Sequence, residues 1–195
     1  MGRTAFDVLV DTIADHGTTE IFGIPGDAIN GLVDAVRRSE RVRFVQVRHE
    51  EAGALAASAQ AKLTGKLAVC AGTAGPGALH LLNGLYDAKL DHAPVLAITG
   101  QVPTEFLGNE YHQEIDATAV FDDVARYNEL VVDGDQMARQ AGQACRTALT
   151  RRTVAHLSVP EDVGSSGAQR HRPPTDPQTE IARSVPPEAD LKRAA

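Results

Sequence analysis

Two carboxylates, Glu50 and Glu51, close the stretch Val47-Arg48-His49-Glu50-Glu51, where an apolar run gives way to a segment of small residues. A side chain at the carboxyl end of a strand is held rigidly and aimed out of the sheet, where open α/β folds place their ligands. Glu50 is the candidate catalytic group. A structural reading competes with it. A glutamate in the first turn of a helix is stabilised by the helix dipole by about 0.3–1 kcal/mol, and Arg48 offers it an ion pair. Three more stretches have the same strand-end character: Pro25-Gly26-Asp27, the loop Gly72-Thr73-Ala74-Gly75-Pro76-Gly77, and Gly100-Gln101. In a parallel sheet all four line one rim. The amides of the glycine loop suit an anion, or simply form a tight strand-to-helix turn. The loop lacks the lysine of a phosphate-transfer loop and the G-x-G-x-x-G spacing of a dinucleotide site.

Other chemistries find no support. The histidines are His16, His49, His80, His92, His112, His156 and His171. None forms an i, i+4 pair and no H-E-x-x-H occurs, so no metal site is expected. No G-x-S-x-G marks a serine nucleophile. Asp133-Gly134-Asp135 reads as a turn between a strand and a helix. Cys70 and Cys145 are far apart and in no redox or metal spacing, and Cys70 lies in an apolar run as a buried thiol.

The elements that must position these residues follow from hydrophobic periodicity. Helices are expected over 4–16, 28–38, 52–63, 78–89, 117–125 and 136–150; strands over 20–24, 41–47, 67–71, 94–99, 128–132 and 153–159. Strands and helices alternate about six times. The fold class is therefore α/β: an open, mostly parallel sheet of about six strands with helices on both faces. The alanine-rich helix 52–63 lets another backbone approach closely. Gln101–115 is a long polar segment without periodicity. Residues 1–163 form one domain, and 164–187, rich in Pro, Ser and Gly, read as a linker. Residues 188–195 look like the opening turns of a helix in a truncated middle domain, since so short a helix is not stable alone.

Composition narrows the partners. The 195 residues are 43% hydrophobic and carry a net charge of −7, which disfavours nucleic acid and anionic lipid. Tryptophan is absent and aromatics are 4%, which argues against a stacking surface for single-stranded nucleic acid. Residues 1–10 have no secretory pattern. No apolar stretch approaches the roughly 20 residues of a membrane span. A cytoplasmic protein with no membrane contact in these residues is expected.

The motifs Phe22-Gly23-Ile24-Pro25-Gly26-Asp27, Arg48-His49-Glu50-Glu51, Gly72-Thr73-Ala74-Gly75-Pro76-Gly77, Asn83-Gly84-Leu85-Tyr86-Asp87 and Ile98-Thr99-Gly100-Gln101-Val102-Pro103 occur together in order. Residues 3–163 resemble the pyrimidine-binding domain of thiamine-diphosphate enzymes of the pyruvate oxidase and acetolactate synthase group. Leu79-His80-Leu81-Leu82-Asn83-Gly84 is most similar to pyruvate oxidases and pyruvate:quinone dehydrogenases. The resemblance implies that Glu50 hydrogen-bonds the aminopyrimidine ring of thiamine diphosphate and promotes the imino form that takes the thiazolium C2 proton. That role needs a carboxyl partly buried at a subunit interface. It also implies that Glu51 is structural, and that Pro25, Thr73, Pro76 and His80 line the pyrimidine pocket or the subunit contact. His80 stands where many members have asparagine.

The same resemblance places Gln101, His112 and Gln113 near substrate and flavin, with His112 replacing a common aromatic, and makes Asp27 a substrate-side candidate. It further implies pyruvate or another 2-oxo acid as substrate and a homodimer or homotetramer. Mg²⁺ and FAD are expected in the intact enzyme, bound by domains outside this chain, because the family's G-D-G diphosphate motif is not among these residues. Turnover by the chain alone is not expected. Oxidative decarboxylation of pyruvate, acetolactate synthesis, and a non-catalytic oligomerisation or regulatory module of the same fold all remain open at this point.

Overall fold

The computed structural model describes residues 2–168 and 185–194. In chain order the strands are β1 (Glu20–Gly23), β2 (Arg43–Gln46), β3 (Ala68–Gly72), β4 (Val95–Gln101), β5 (Tyr127–Leu130) and β6 (Val154–Pro160). The helices are α1 (Ala5–Asp15), α2 (Asn30–Arg38), α3 (Glu50–Thr64), α4 (Pro76–His80), α5 (Leu82–Leu90), α6 (Ala117–Phe121), α7 (Met137–Arg151), α8 (Glu161–Ser165) and α9 (Glu188–Ala194). Among the described residues the strands form one sheet in the order β2-β1-β3-β4-β6-β5, and every pairing is parallel. The α/β expectation holds, with all six strands at the expected places.

The two-residue period of the central strands builds two cores. Val69 and Ala71 of β3, Leu96 and Ile98 of β4, and Ala155 and Leu157 of β6 pack with α1, α2 and α7. Ala68 and Cys70, Val95 and Ala97, and Val154 point the other way, against α3, α5 and α6. Every residue of β3, β4 and β6 is buried, as a strand covered on both faces requires.

The chain enters the sheet at β1, steps outward to β2, then returns past β1 to β3. The order of travel reverses between β1 and β3, and such a switch point leaves a crevice at the carboxyl ends of the strands. The loops after β1, β2 and β3 are those that carry Pro25, Glu50 and Thr73.

Three boundaries differ from expectation. First, α3 begins at Glu50 rather than 52, because His49 is extended (φ −155, ψ 139) and its ring accepts a hydrogen bond from the Glu51 amide as a helix cap. Second, the helix expected over 78–89 is two helices, α4 and α5. The Leu81 amide tightens onto Ala78 (3.2 Å) at their junction, and His80 is the last residue of α4. Third, the packed body runs past 163. Gly164 sits so tightly on Phe6 that a Cβ there would lie 2.1 Å from the ring. The Ala5 amide donates to the Ser166 carbonyl and the Ala168 amide to the Arg3 carbonyl. The rest of the expected linker, 169–184, lies outside the described residues. Helix α9 covers the place where an opening helix was expected. No helix among the described residues is long and apolar enough to cross a membrane.

Candidate functional site

Glu50 is the first residue of α3 and is 7% exposed. Its Oε2 lies 2.9 Å from His80 Nδ1, and an ionised carboxylate there accepts the imidazole N–H. The partner is thus His80 and not Arg48. Among the described residues no hydrogen bond reaches Oε1. Oε1 is not sealed from solvent, so water or a ligand can reach the oxygen that His80 leaves uncommitted. The rings of His80 and His49 stack at 4.3 Å, so the face of the His80 ring is braced while its Nδ1 meets Glu50. Both imidazoles remain exposed, while the carboxylate beside them is buried.

Small residues floor the crevice. A Cβ on Gly26 would meet the Thr73 side chain at 2.6 Å, and one on Gly77 would meet Thr73 Cγ2 at 2.9 Å and Glu50 Oε1 at 3.3 Å. Thr73 therefore fills a slot between the loop after β1 and the start of α4, and Glu50 is drawn against the glycine loop. Gly75 adopts φ +61, which suits glycine. A Cβ there would lie 2.6 Å from the Gln113 carbonyl, so the segment after β4 meets the glycine loop. Pro25, Asp27, Pro76, His112 and Gln113 are exposed around this rim. Asp27 accepts a hydrogen bond from Asn30 at 3.4 Å.

Gln101 behaves differently. It is buried, its Nε2 donates to the Ile115 carbonyl at 2.8 Å, and its Oε1 accepts from the Val102 amide at 2.8 Å. Both ends of the amide hold backbone, so Gln101 fixes the two ends of the 102–115 segment. Glu114 holds its middle, accepting from the Gly108 amide at 2.5 Å and the Tyr111 amide at 2.9 Å. The Gly108 amide, followed by that of Tyr111, holds the Glu114 carboxyl below its usual range. Phe106 and Tyr111 stack at 4.2 Å. The segment has no periodic pattern, so its internal order was not visible in sequence. The one hint was a glutamate following several turn-forming residues.

A second polar cluster was also missed. His156 of β6 is fully buried, stacked on Phe121 at 3.9 Å. Asn128 Nδ2 donates to the Thr118 carbonyl at 2.6 Å, so its Oδ1 faces His156 Nδ1 at 2.7 Å. Nδ1 therefore donates, and Nε2 accepts from the Thr99 hydroxyl at 2.8 Å. Burial pushes the imidazole down to about 3, so it stays neutral. Asp133 caps the turn into α7, accepting from the Asp135 amide at 3.0 Å, as the turn reading expects.

The family described as thiamine pyrophosphate enzyme, N-terminal TPP binding domain, matches residues 3–120. YdaP of Bacillus subtilis (strain 168), provisionally described as a thiamine pyrophosphate-containing protein, is 46% identical over 176 residues, which is 90% of this chain and 31% of YdaP. Pyruvate oxidase of Lactiplantibacillus plantarum is 45% identical over 156 residues, 80% of this chain and 26% of that enzyme. Acetolactate synthase of Arthrospira platensis is 39% identical over 162 residues, 81% of this chain and 28% of that enzyme. The chain thus spans between a quarter and a third of these three relatives.

Proposed function

Because the chain belongs to the thiamine pyrophosphate enzymes and carries their N-terminal TPP-binding domain, we propose that it forms the pyrimidine-facing half of a thiamine diphosphate site. The reaction is oxidative decarboxylation of pyruvate, of the pyruvate oxidase type. The carrying observation is Glu50: a nearly buried carboxylate at the switch-point crevice, held through Oε2 by His80, with Oε1 uncommitted. That oxygen fits a ring nitrogen of an aminopyrimidine. The glycine floor formed around Thr73 fits a flat ring, since a Cβ on Gly77 would crowd Oε1. Pro25, Thr73, Pro76 and His80 line the place where the ring would lie, and Asp27, His112 and Gln113 form the substrate side. Gln101 supports this side through the backbone it clamps.

Thiamine diphosphate supplies, when bound, an acidic thiazolium carbon that adds to the 2-oxo acid. The task of Glu50 is to share a proton with the pyrimidine, and His80 keeps its carboxylate aimed. Asp133 of the Asp133-Gly134-Asp135 stretch is spent on capping a turn, so it is not offered to a metal-bound diphosphate. In the intact enzyme other domains would hold diphosphate, Mg²⁺ and FAD, and the site would close against a second copy of the chain.

The test is Glu50→Gln in the full-length enzyme that carries this domain. Rate should fall by roughly 10²–10⁴, about 3–5 kcal/mol of barrier. An unchanged rate of cofactor C2 proton exchange in that variant refutes the role. The 195-residue chain alone should not decarboxylate pyruvate; turnover by it overturns the half-site reading. Acetolactate synthesis is the second reading, favoured by the identity to the Arthrospira platensis enzyme. Acetate as the product from pyruvate supports the first reading, and acetolactate the second.

A further inference from the structure

Three ligating side chains converge at the mouth of the crevice. One donor atom from each of His49, Glu50 and His80 lies within 4.8 Å of the others. Two imidazoles and one carboxylate are the donor set of three-ligand zinc sites that keep a fourth position open. We propose that His49, Glu50 and His80 form a binding site for a divalent transition metal such as Zn²⁺, and that the metal blocks the site.

The geometry is close to what a metal needs. Imidazole nitrogen binds zinc at about 2.0–2.1 Å and carboxylate oxygen at about 2.0–2.2 Å, so tetrahedral neighbours stand a little over 3 Å apart. His80 Nδ1 and Glu50 Oε2 already stand 2.9 Å apart. A metal would take the place of the proton they share, which moves to His80 Nε2 as the imidazole changes tautomer, with only slight movement of the pair. The exposed His49 ring, stacked on His80 at 4.3 Å, supplies the third donor by rotating on its side chain. Its Nδ1 is the nitrogen with the lone pair, accepting from the Glu51 amide over a long 3.3 Å, and a metal would take that lone pair in place of the weak cap bond. The exposed side of both imidazoles leaves the fourth position to solvent. The set is wrong for Mg²⁺, which demands oxygen ligands in octahedral array, and right for zinc, cobalt or nickel.

The blocking half of the proposal rests on the thiamine reading of Glu50, since metal and pyrimidine would claim the same carboxylate. The metal half does not. The test is titration of the tag-free chain with Co²⁺, read by visible absorption, followed by displacement with Zn²⁺. One equivalent should bind with the intense bands of a low-symmetry four-coordinate site. His49→Ala and His80→Ala, both at exposed positions and checked for folding by circular dichroism, should each weaken binding at least about 10-fold. Absence of saturable binding, or binding unchanged in the double variant, overturns the site. A second titration is run with thiamine, which carries the pyrimidine but no diphosphate to chelate the metal, present in excess. Slower or weaker Co²⁺ uptake supports the block. Uptake unchanged while the histidine variants still lose it overturns the block and keeps the metal site. Cobalt binding that fails while Glu50→Gln still abolishes cofactor binding overturns the metal site and keeps the thiamine reading.

Discussion

The titratable groups of this protein divide sharply by burial. His156 is sealed between Phe121, Thr99 and Asn128 and has a proton affinity lowered to about 3. The unfolded chain would protonate the same ring near 6.5, so between those limits the unfolded state binds the extra proton. Stability therefore rises with pH across this window and is lost on acidification. From pH 7 to pH 5 this one group should remove about 2 kcal/mol of stability. The check is urea unfolding of wild type and His156→Gln at both pH values. The variant is less stable at pH 7 but should show a difference between the two pH values smaller by about that amount. An equal pH difference would refute it. Paired carboxylates such as Asp87, lowered by Lys62, lose their contribution only at lower pH, so the window is nearly free of them. Cys70 and Cys145 are wholly buried, and desolvation pushes both thiols up to about 12. Neither should react with a thiol-specific disulfide reagent in the native state. Both should react together at the denaturant midpoint, and fast labelling of native protein would contradict the packing.

At the scale of elements, the contact of α3 with α5 depends on one missing side chain. A Cβ on Gly84 would lie 2.5 Å from the Leu55 backbone nitrogen and 2.6 Å from Ala54 Cβ. Neither can yield as a flexible side-chain tip would. Gly84→Ala must therefore separate the helices, at a cost of roughly 1–3 kcal/mol or more. Gly65 offers the contrast. It ends α3 with φ +69 and has no neighbour near its Cβ position, so Gly65→Ala costs only backbone strain, of order 1 kcal/mol. Denaturant midpoints should rank Gly84→Ala below Gly65→Ala; the reverse order would mean the helices are not so close. The alanine-rich composition of α3 foretold a close approach, but not that α5 makes it or that Gly84 is its contact. The break at Leu81 was invisible for a similar reason. Residues 78–82 are Ala, Leu, His, Leu and Leu, with no helix breaker at the junction, and the tightened turn that delivers His80 to Glu50 is a matter of one main-chain hydrogen bond.

At the scale of the molecule, α3, α4 and α5 present Leu55, Leu63, Leu79, Tyr86 and Leu90 to solvent. A layer so exposed beside an incomplete site fits a contact with a second copy of the chain. Sedimentation should show dimers at high concentration, and Leu55→Glu should return them to monomer. A strictly monomeric wild type would count against the contact. The sequence by itself determined the alternation of strands and helices, the burial of Cys70 and the strand-end placement of Glu50. These depend on local periodicity and on turn residues, which are written in consecutive positions. Tertiary structure alone decided which strand ends adjoin. Strand order brings the loops after β1, β2 and β3 to one crevice, and no local pattern encodes that order. It also decided that Glu50 would pair with His80 rather than Arg48. Arg48 is near in sequence but exposed, whereas the turn between α4 and α5 carries His80 onto Glu50, the one buried carboxylate among the described residues.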